Sequence, residues 1–319
     1  MKNLFYSLIL LFLFGCNSNN NAEIGINPLP NFDAMWDYQH PDSTEIVFTN
    51  ILNGLKDSAE SSYDAEYHVE LLTQIARTQG LQGKFIQAQA TLDSVKNMLN
   101  ENMKIGNIRY LLERGRVFNS SGEWEISKPL FLRAYEFGIT NNLDIFTLDA
   151  AHMIGMVVPP NEQLDWNLKA LRIAEETTDT NCQSWLGPLY NNIGWTYHDL
   201  SKYDQALIYF QKGFDWRTEV GDEQGARIAK WTVGRCLRSL QMINEALKLQ
   251  MELQTEIAEN NLPKDGYVFE ELAELYLLTN NGELAKKNFK LAYEELSKDR
   301  WIATNQPDRL KRLKALGEL

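Results

Sequence analysis

From residue 43 to the end of the chain, apolar residues recur three and four positions apart. That is the period of a helix with one buried face. Alternating apolar and polar runs, the mark of a half-buried strand, are almost absent. Helix breakers punctuate the pattern at Gly80, Gly122, Pro159-Pro160, Gly187-Pro188, Gly221 and Asn280-Asn281-Gly282. The spacing predicts helices of roughly fifteen to twenty residues joined by short turns. The chain is therefore read as all-α.

The helices repeat. The clearest unit places Tyr190, Gly194 and Tyr197 on one helix, then Ala206, Phe210 and Gly213 on the next. Small residues at the crossing let two helices approach, and large ones fill the gaps beside it. Counted from the first small slot, the others fall three, twelve, sixteen and nineteen residues later. The same slots hold Ala76, Gln79, Ala88, Leu92 and Val95, then Gly115, Phe118, Ser127, Phe131 and Ala134. They return as Ala151, Ile154, Gln163, Asn167 and Ala170, as Gly234, Leu237, Ala246, Gln250 and Leu253, and as Ala273, Tyr276, Ala285, Phe289 and Ala292. Steps between units are 39, 36, 43, 40 and 39 residues. The third unit departs most, with Gln163 and Asn167 where small and aromatic residues are expected. A generic bundle would give helical periodicity without six copies in phase.

This spacing resembles the tetratricopeptide repeat, whose usual period is about 34 residues. The resemblance implies a right-handed superhelical solenoid of helix-turn-helix repeats with capping helices. Asp42-Ser43-Thr44-Glu45 signals a helix start, opening a cap with Ile46, Phe48, Ile51, Leu52 and Leu55 as its apolar side. Pro307-Asp308 opens a second cap with Leu310, Leu313 and Leu316 on one stripe. Over residues 33–319 the chain is also similar to a group of bacterial tetratricopeptide proteins, through the segments 71–81, 109–116, 191–195 and 265–272. That likeness supports the fold and assigns no activity.

The first residues read as an address. Leu4 to Phe14 is an uncharged apolar run after Lys2. It is too short to span a bilayer, which needs about 20 residues, and fits a signal-peptide core. The run ends in Leu13-Phe14-Gly15-Cys16, which resembles the lipobox of bacterial lipoproteins. The resemblance implies cleavage before Cys16 and acylation of its sulfur. The alternative is an ordinary secretory peptide. The organisation expected is a signal peptide over 1–15, a lipidated Cys16 with a polar tether over 16–42, and a solenoid of about six repeats plus caps over 43–319. The expected location is a membrane on the exported side, at a periplasmic or outer-membrane face.

Composition narrows the function. The 319 residues carry a net charge of −12, which becomes −13 once Lys2 is removed with the signal peptide. A diffuse negative charge argues against nucleic acid as partner, since that needs a basic footprint. Three cysteines, Cys16, Cys182 and Cys236, are too few for a disulfide framework, and Cys182 and Cys236 are read as unpaired thiols. No phosphate loop, zinc motif, nucleophile elbow or calcium loop is present. Neither a cofactor nor an enzymatic activity is expected. His152 and His198 are each alone and are read as surface or packing residues. Trp124 and Trp166 are read as packing residues.

One stripe of each first helix faces away from its second helix, at six and three residues before the small slot and one and four after it. It collects Glu70, Arg77, Arg109, Arg116 and Asn119, then His152, Asn191, Trp195 and His198, then Trp231, Arg235, Arg238, Tyr267, Glu270 and Glu274. Five arginines on one predicted groove stand out in an acidic chain. Guanidinium forks match carboxylates, Asn191 suits a backbone amide, and Trp195 and Trp231 suit apolar anchors. The expected function is a membrane-anchored scaffold that grips a protein partner, as an extended peptide or acidic motif. Two further readings stay open: a glycan- or small-ligand-binding lipoprotein stacking sugars on Trp195, Trp231 and Tyr267, and arginines that only pair with nearby acids such as Glu113.

Overall fold

The computed structural model describes residues 30–57 and 64–318. The signal peptide, Cys16 and the polar run after it lie outside the described residues. Every regular element described, apart from one 3-10 turn at Asp33–Met35, is an α-helix.

The helices divide into two compact units, residues 1–182 and 183–319. In the first, α1 (Pro41–Asp57) precedes three antiparallel pairs. These are α2 (Ala65–Leu81) with α3 (Phe85–Met98), α4 (Lys104–Ser120) with α5 (Trp124–Asn141), and α6 (Asp144–Val157) with α7 (Pro160–Glu176). The short α8 (Thr180–Gln183) follows. The second unit holds α9 (Leu186–Asp199) with α10 (Tyr203–Glu219), α11 (Glu223–Ser239) with α12 (Ile243–Glu259), and α13 (Gly266–Leu278) with α14 (Gly282–Leu296). It ends in α15 (Arg300–Asn305) and α16 (Pro307–Leu316).

The slots fill as their sizes dictate. Ala88, Leu92, Val95, Phe131, Ala134, Ala151 and Ala170 are buried in the first unit. Ala206, Phe210, Ala246, Leu253, Ala273, Ala285, Phe289 and Ala292 are buried in the second. A methyl group on Gly194 would stand 2.5 Å from the Phe210 ring, a distance that real side chains do not reach. Gly115 faces Phe131 in the same way, at 2.5 Å. The two atypical units use amides instead of rings. Asn167 lies beside Gly155, and Gln250 donates to the Trp231 carbonyl at 3.1 Å, over Gly234.

Helix ends follow local chemistry. Pro159 closes α6 and Pro160 opens α7, because proline lacks the N–H that an interior position would need. Asp265 accepts from the Tyr267 and Val268 amides and caps α13. Gly83, Gly122 and Gly221 take positive φ in the turns, where a side chain would be strained.

Some expectations need correction. The first cap helix starts at Pro41 rather than at residue 43, with Pro41 in the first turn. Within it Phe48 and Leu52 are buried, but Ile46 is 63% exposed. Trp124 opens α5 at 65% exposure and packs no core. Residues 32–40, read as tether, instead pack on the folded body, with Phe32 in a cluster with Phe48, Leu52, Tyr67 and Leu71. Both described cysteines are free and buried. Burial pushes the Cys182 thiol up to about 12 and the Cys236 thiol up to about 11, so neither supplies a thiolate near neutral pH.

Candidate functional site

The stripe residues lie on first helices, and each unit has its own version. In residues 30–182 it is a ladder of ion pairs. Arg109 Nε donates to Glu70 at 3.0 Å. Arg77 reaches Glu113 at 3.2 Å, and Arg116 reaches the same Glu113 oxygen at 2.5 Å. Arg116 also places one nitrogen 2.5 Å from both oxygens of Asp149. These groups are deeply placed, Glu113 being only 2% exposed. Burial alone would push the Asp149 carboxyl up, but Arg116, with Arg77 and His152, outweighs it and holds the group below the usual carboxylate range. Burial pulls the His152 imidazole down, so it is neutral near pH 7. Three arginines therefore face three carboxylates. Asn119, three residues beyond Arg116, is half-buried at the end of the stripe.

In residues 183–319 the stripe carries rings. Trp195 on α9 lies 6.1 Å from Trp231 on α11, and Trp231 lies 5.7 Å from Tyr267 on α13. The Trp231 indole N–H donates to the Tyr267 carbonyl at 3.1 Å, which fixes the spacing of α11 and α13. The Arg309 guanidinium on α16 sits 5.0 Å over Tyr267 and extends the row. All three aromatic residues are half-buried. Asn191 lies one turn before Trp195, also half-buried.

Beside the rings lies a second charged cluster. Arg238 makes two hydrogen bonds to Glu271, and Arg235 stands 3.6 Å from the same carboxylate. Arg309 pairs with Glu270, and Arg312 with Glu274 at 2.5 Å. Four guanidiniums thus share three carboxylates. The surplus falls on Arg235, whose hydrogen-bond partner is the Ser239 hydroxyl at 2.8 Å. Burial, then repulsion from Arg238, lowers its hold on its proton, with Glu271, Glu270 and Glu274 opposing. His198 bonds Ser239 at 2.9 Å. Burial, with Arg235 and Arg238 nearby, pulls its imidazole down to about 4.

The arginines of the stripe are thus engaged rather than open, and Arg235 shares its carboxylate with Arg238. Residues not foreseen from sequence are Asp149, Glu271, Ser239 and Arg309. Their signal was available. Acids recur two residues before the small slot at Glu113, Asp149 and Glu271, facing arginines at Arg77, Arg116 and Arg235 one residue after the slot of the unit before. Among the described residues no cluster of His, Cys, Asp or Glu could hold a metal ion. No helix described is long and apolar enough to cross a membrane.

Helix pairs in phase, with small slots under rings, define a helical-repeat protein of solenoid type. The family model for the tetratricopeptide repeat matches residues 187–219, the pair α9 and α10. That pair matches as a tetratricopeptide repeat, and the other helix pairs have the same helix-turn-helix fold. Among solved structures, the apo form of RapI is 13% identical with a TM-score of 0.70, over 87% of this chain and 76% of that one. A Rap protein complexed with competence and sporulation factor is 14% identical with a TM-score of 0.54, over 88% and 77%. NprR in complex with its cognate peptide NprX is 14% identical with a TM-score of 0.50, over 88% and 79%. At these identities the likeness establishes the fold. No curated protein sequence matches the chain.

Proposed function

We propose that the chain is an interaction scaffold, tethered to a membrane through a lipid on Cys16, that takes an extended, acid-bearing protein segment on the stripe of residues 183–319. One observation carries the reading: a half-buried row of Trp195, Trp231 and Tyr267 beside Arg235, a stripe arginine that shares its carboxylate with Arg238. Rings of this kind supply apolar anchors at interfaces, and a guanidinium in surplus welcomes an anion. That proteins of this fold occur with a bound factor or peptide is in keeping with it. Sugar stacking is less well served, because Trp195 and Trp231 already pack against neighbouring rings at 5.1 and 5.7 Å.

Two variants test the surface. Trp231→Ala is expected to weaken capture of the native partner by about 2 kcal/mol or more, the range of an interface anchor. Arg235→Gln removes the surplus charge without stranding an acid, since Arg238 still holds Glu271. It is expected to lower affinity for an acidic segment and to reduce the dependence of binding on salt. Co-purification from native membranes unchanged in both variants would remove this surface from consideration. The anchor is tested separately: Cys16→Ala is expected to move the protein from the membrane fraction to the aqueous one, and unaltered membrane retention would contradict lipidation.

A further inference from the structure

In residues 30–182 the chain's own N-terminal segment lies against α2 as a ligand would. Phe32 stacks on Tyr67 at 4.6 Å, and the Tyr67 hydroxyl donates to the Pro30 carbonyl at 3.0 Å. The Trp36 indole N–H donates to Gln74 Oε1 at 3.0 Å. Trp36 and Tyr38 stack in parallel, 4.7 Å apart and 8° from coplanar. The Arg77 guanidinium lies 5.6 Å from one of these rings and 5.5 Å from the other. Tyr67, Gln74 and Arg77 are seven and three residues apart, so they share one face of the helix. Trp36 has extended backbone, and side chains two apart on extended chain point the same way.

We propose that this face of α2 is an interaction surface for an extended segment with two aromatic residues two positions apart, which residues 32–40 occupy in cis until such a segment displaces Trp36 and Tyr38. The two ends of the strap differ. Phe32 is 5% exposed and belongs to the core, whereas Trp36 meets the same Phe48 ring edge-on at 5.5 Å from the margin of that cluster. Trp36 and Tyr38 are half-buried, and Asp37, Gln39 and His40 are exposed. Their release leaves the Arg77–Glu113 pair at 3.2 Å in place. The Trp36 and Gln74 groups return to water, where both find partners. Pinned at Phe32 and, through Asp37, at Thr44, the strap opens locally while the helices stay folded. This surface is separate from the one proposed for residues 183–319 and stands or falls without it.

The test uses the full chain and a fluorescent peptide with the sequence of residues 30–40. Trp36→Ala combined with Tyr38→Ala vacates the seat and is expected to bind the peptide roughly ten-fold or more tighter than the native chain, since the competent state is no longer a minor one. Adding Arg77→Ala to that background is expected to abolish the gain. Equal affinity in native and vacated chains overturns the proposal. A second measurement needs no variant. In the native chain the Trp36 indole N–H is expected to exchange with solvent well before the buried amides of α2. Exchange in step with those amides would make the strap part of the core and also overturn the proposal.

Discussion

Asp149→Ala is expected to destabilise the fold of residues 30–182 by about 3–5 kcal/mol, the cost of removing one partner from a buried ion pair. The loss leaves Arg116, 16% exposed, with Glu113 alone, which Arg77 already shares. The ladder then holds two guanidiniums on one carboxylate, inside a low-dielectric wall. The double variant Asp149→Leu with Arg116→Met is expected to recover most of the loss, because burying neither charge removes the desolvation cost of both. Urea unfolding followed by circular dichroism measures both variants. The pH dependence has a definite sign. Asp149 is held below its usual value near 3.8, so its contribution is complete above that value and is lost as pH falls through the lower, folded one. The native chain is therefore expected to lose stability in acid more steeply than the double variant. A double variant as unstable as Asp149→Ala would show that packing, not charge balance, sets the effect.

Phe210→Ala is expected to cost about 3–5 kcal/mol in residues 183–319, the usual penalty for emptying a buried aromatic site. Phe210 is 1% exposed, touches Trp195 at 5.1 Å, and fills the space above Gly194. Its loss removes the filler of the α9–α10 crossing. Gly194→Ala tests the same crossing from the other side. The added methyl meets ring carbons at 2.5 Å, and overpacking of this kind costs about 1–3 kcal/mol. Combining Gly194→Ala with Phe210→Leu is expected to relieve part of that strain. Additive losses in the double variant would mean that the two positions are not coupled.

These two crossings show what was legible in the sequence and why. Gly194 with Phe210, and Gly115 with Phe131, are sixteen residues apart and belong to one helix pair. Their sizes are fixed by local geometry, so the pattern repeats and can be counted. Gln250 and Asn167 break the aromatic pattern yet keep the slot: the Gln250 amide bonds the facing Trp231 carbonyl where a ring would pack, and Asn167 lies beside Gly155. The ion pairs between units were harder to see. Arg116 and Asp149 are 33 residues apart, and only the phase of acids before the slot and arginines after it joins them. The stripe could be placed, but not its balance of charge, since that depends on which acids turn inward. The strap was hidden for another reason. Phe32, Trp36 and Tyr38 lie in a segment without periodicity, and their partners Tyr67, Gln74 and Arg77 come from a helix more than thirty residues on. Nothing local distinguishes such a segment from a tether.

The most direct test of the scaffold is to place a photo-crosslinking residue at one position at a time in the native membrane. At position 231, inside the aromatic row, irradiation is expected to capture a single partner, and Arg235→Gln is expected to reduce the yield. At position 208, on the second helix α10 and 56% exposed, no such product is expected. Capture of the partner from 208 and not from 231 would place the docking surface on the other side of the repeats and contradict the account.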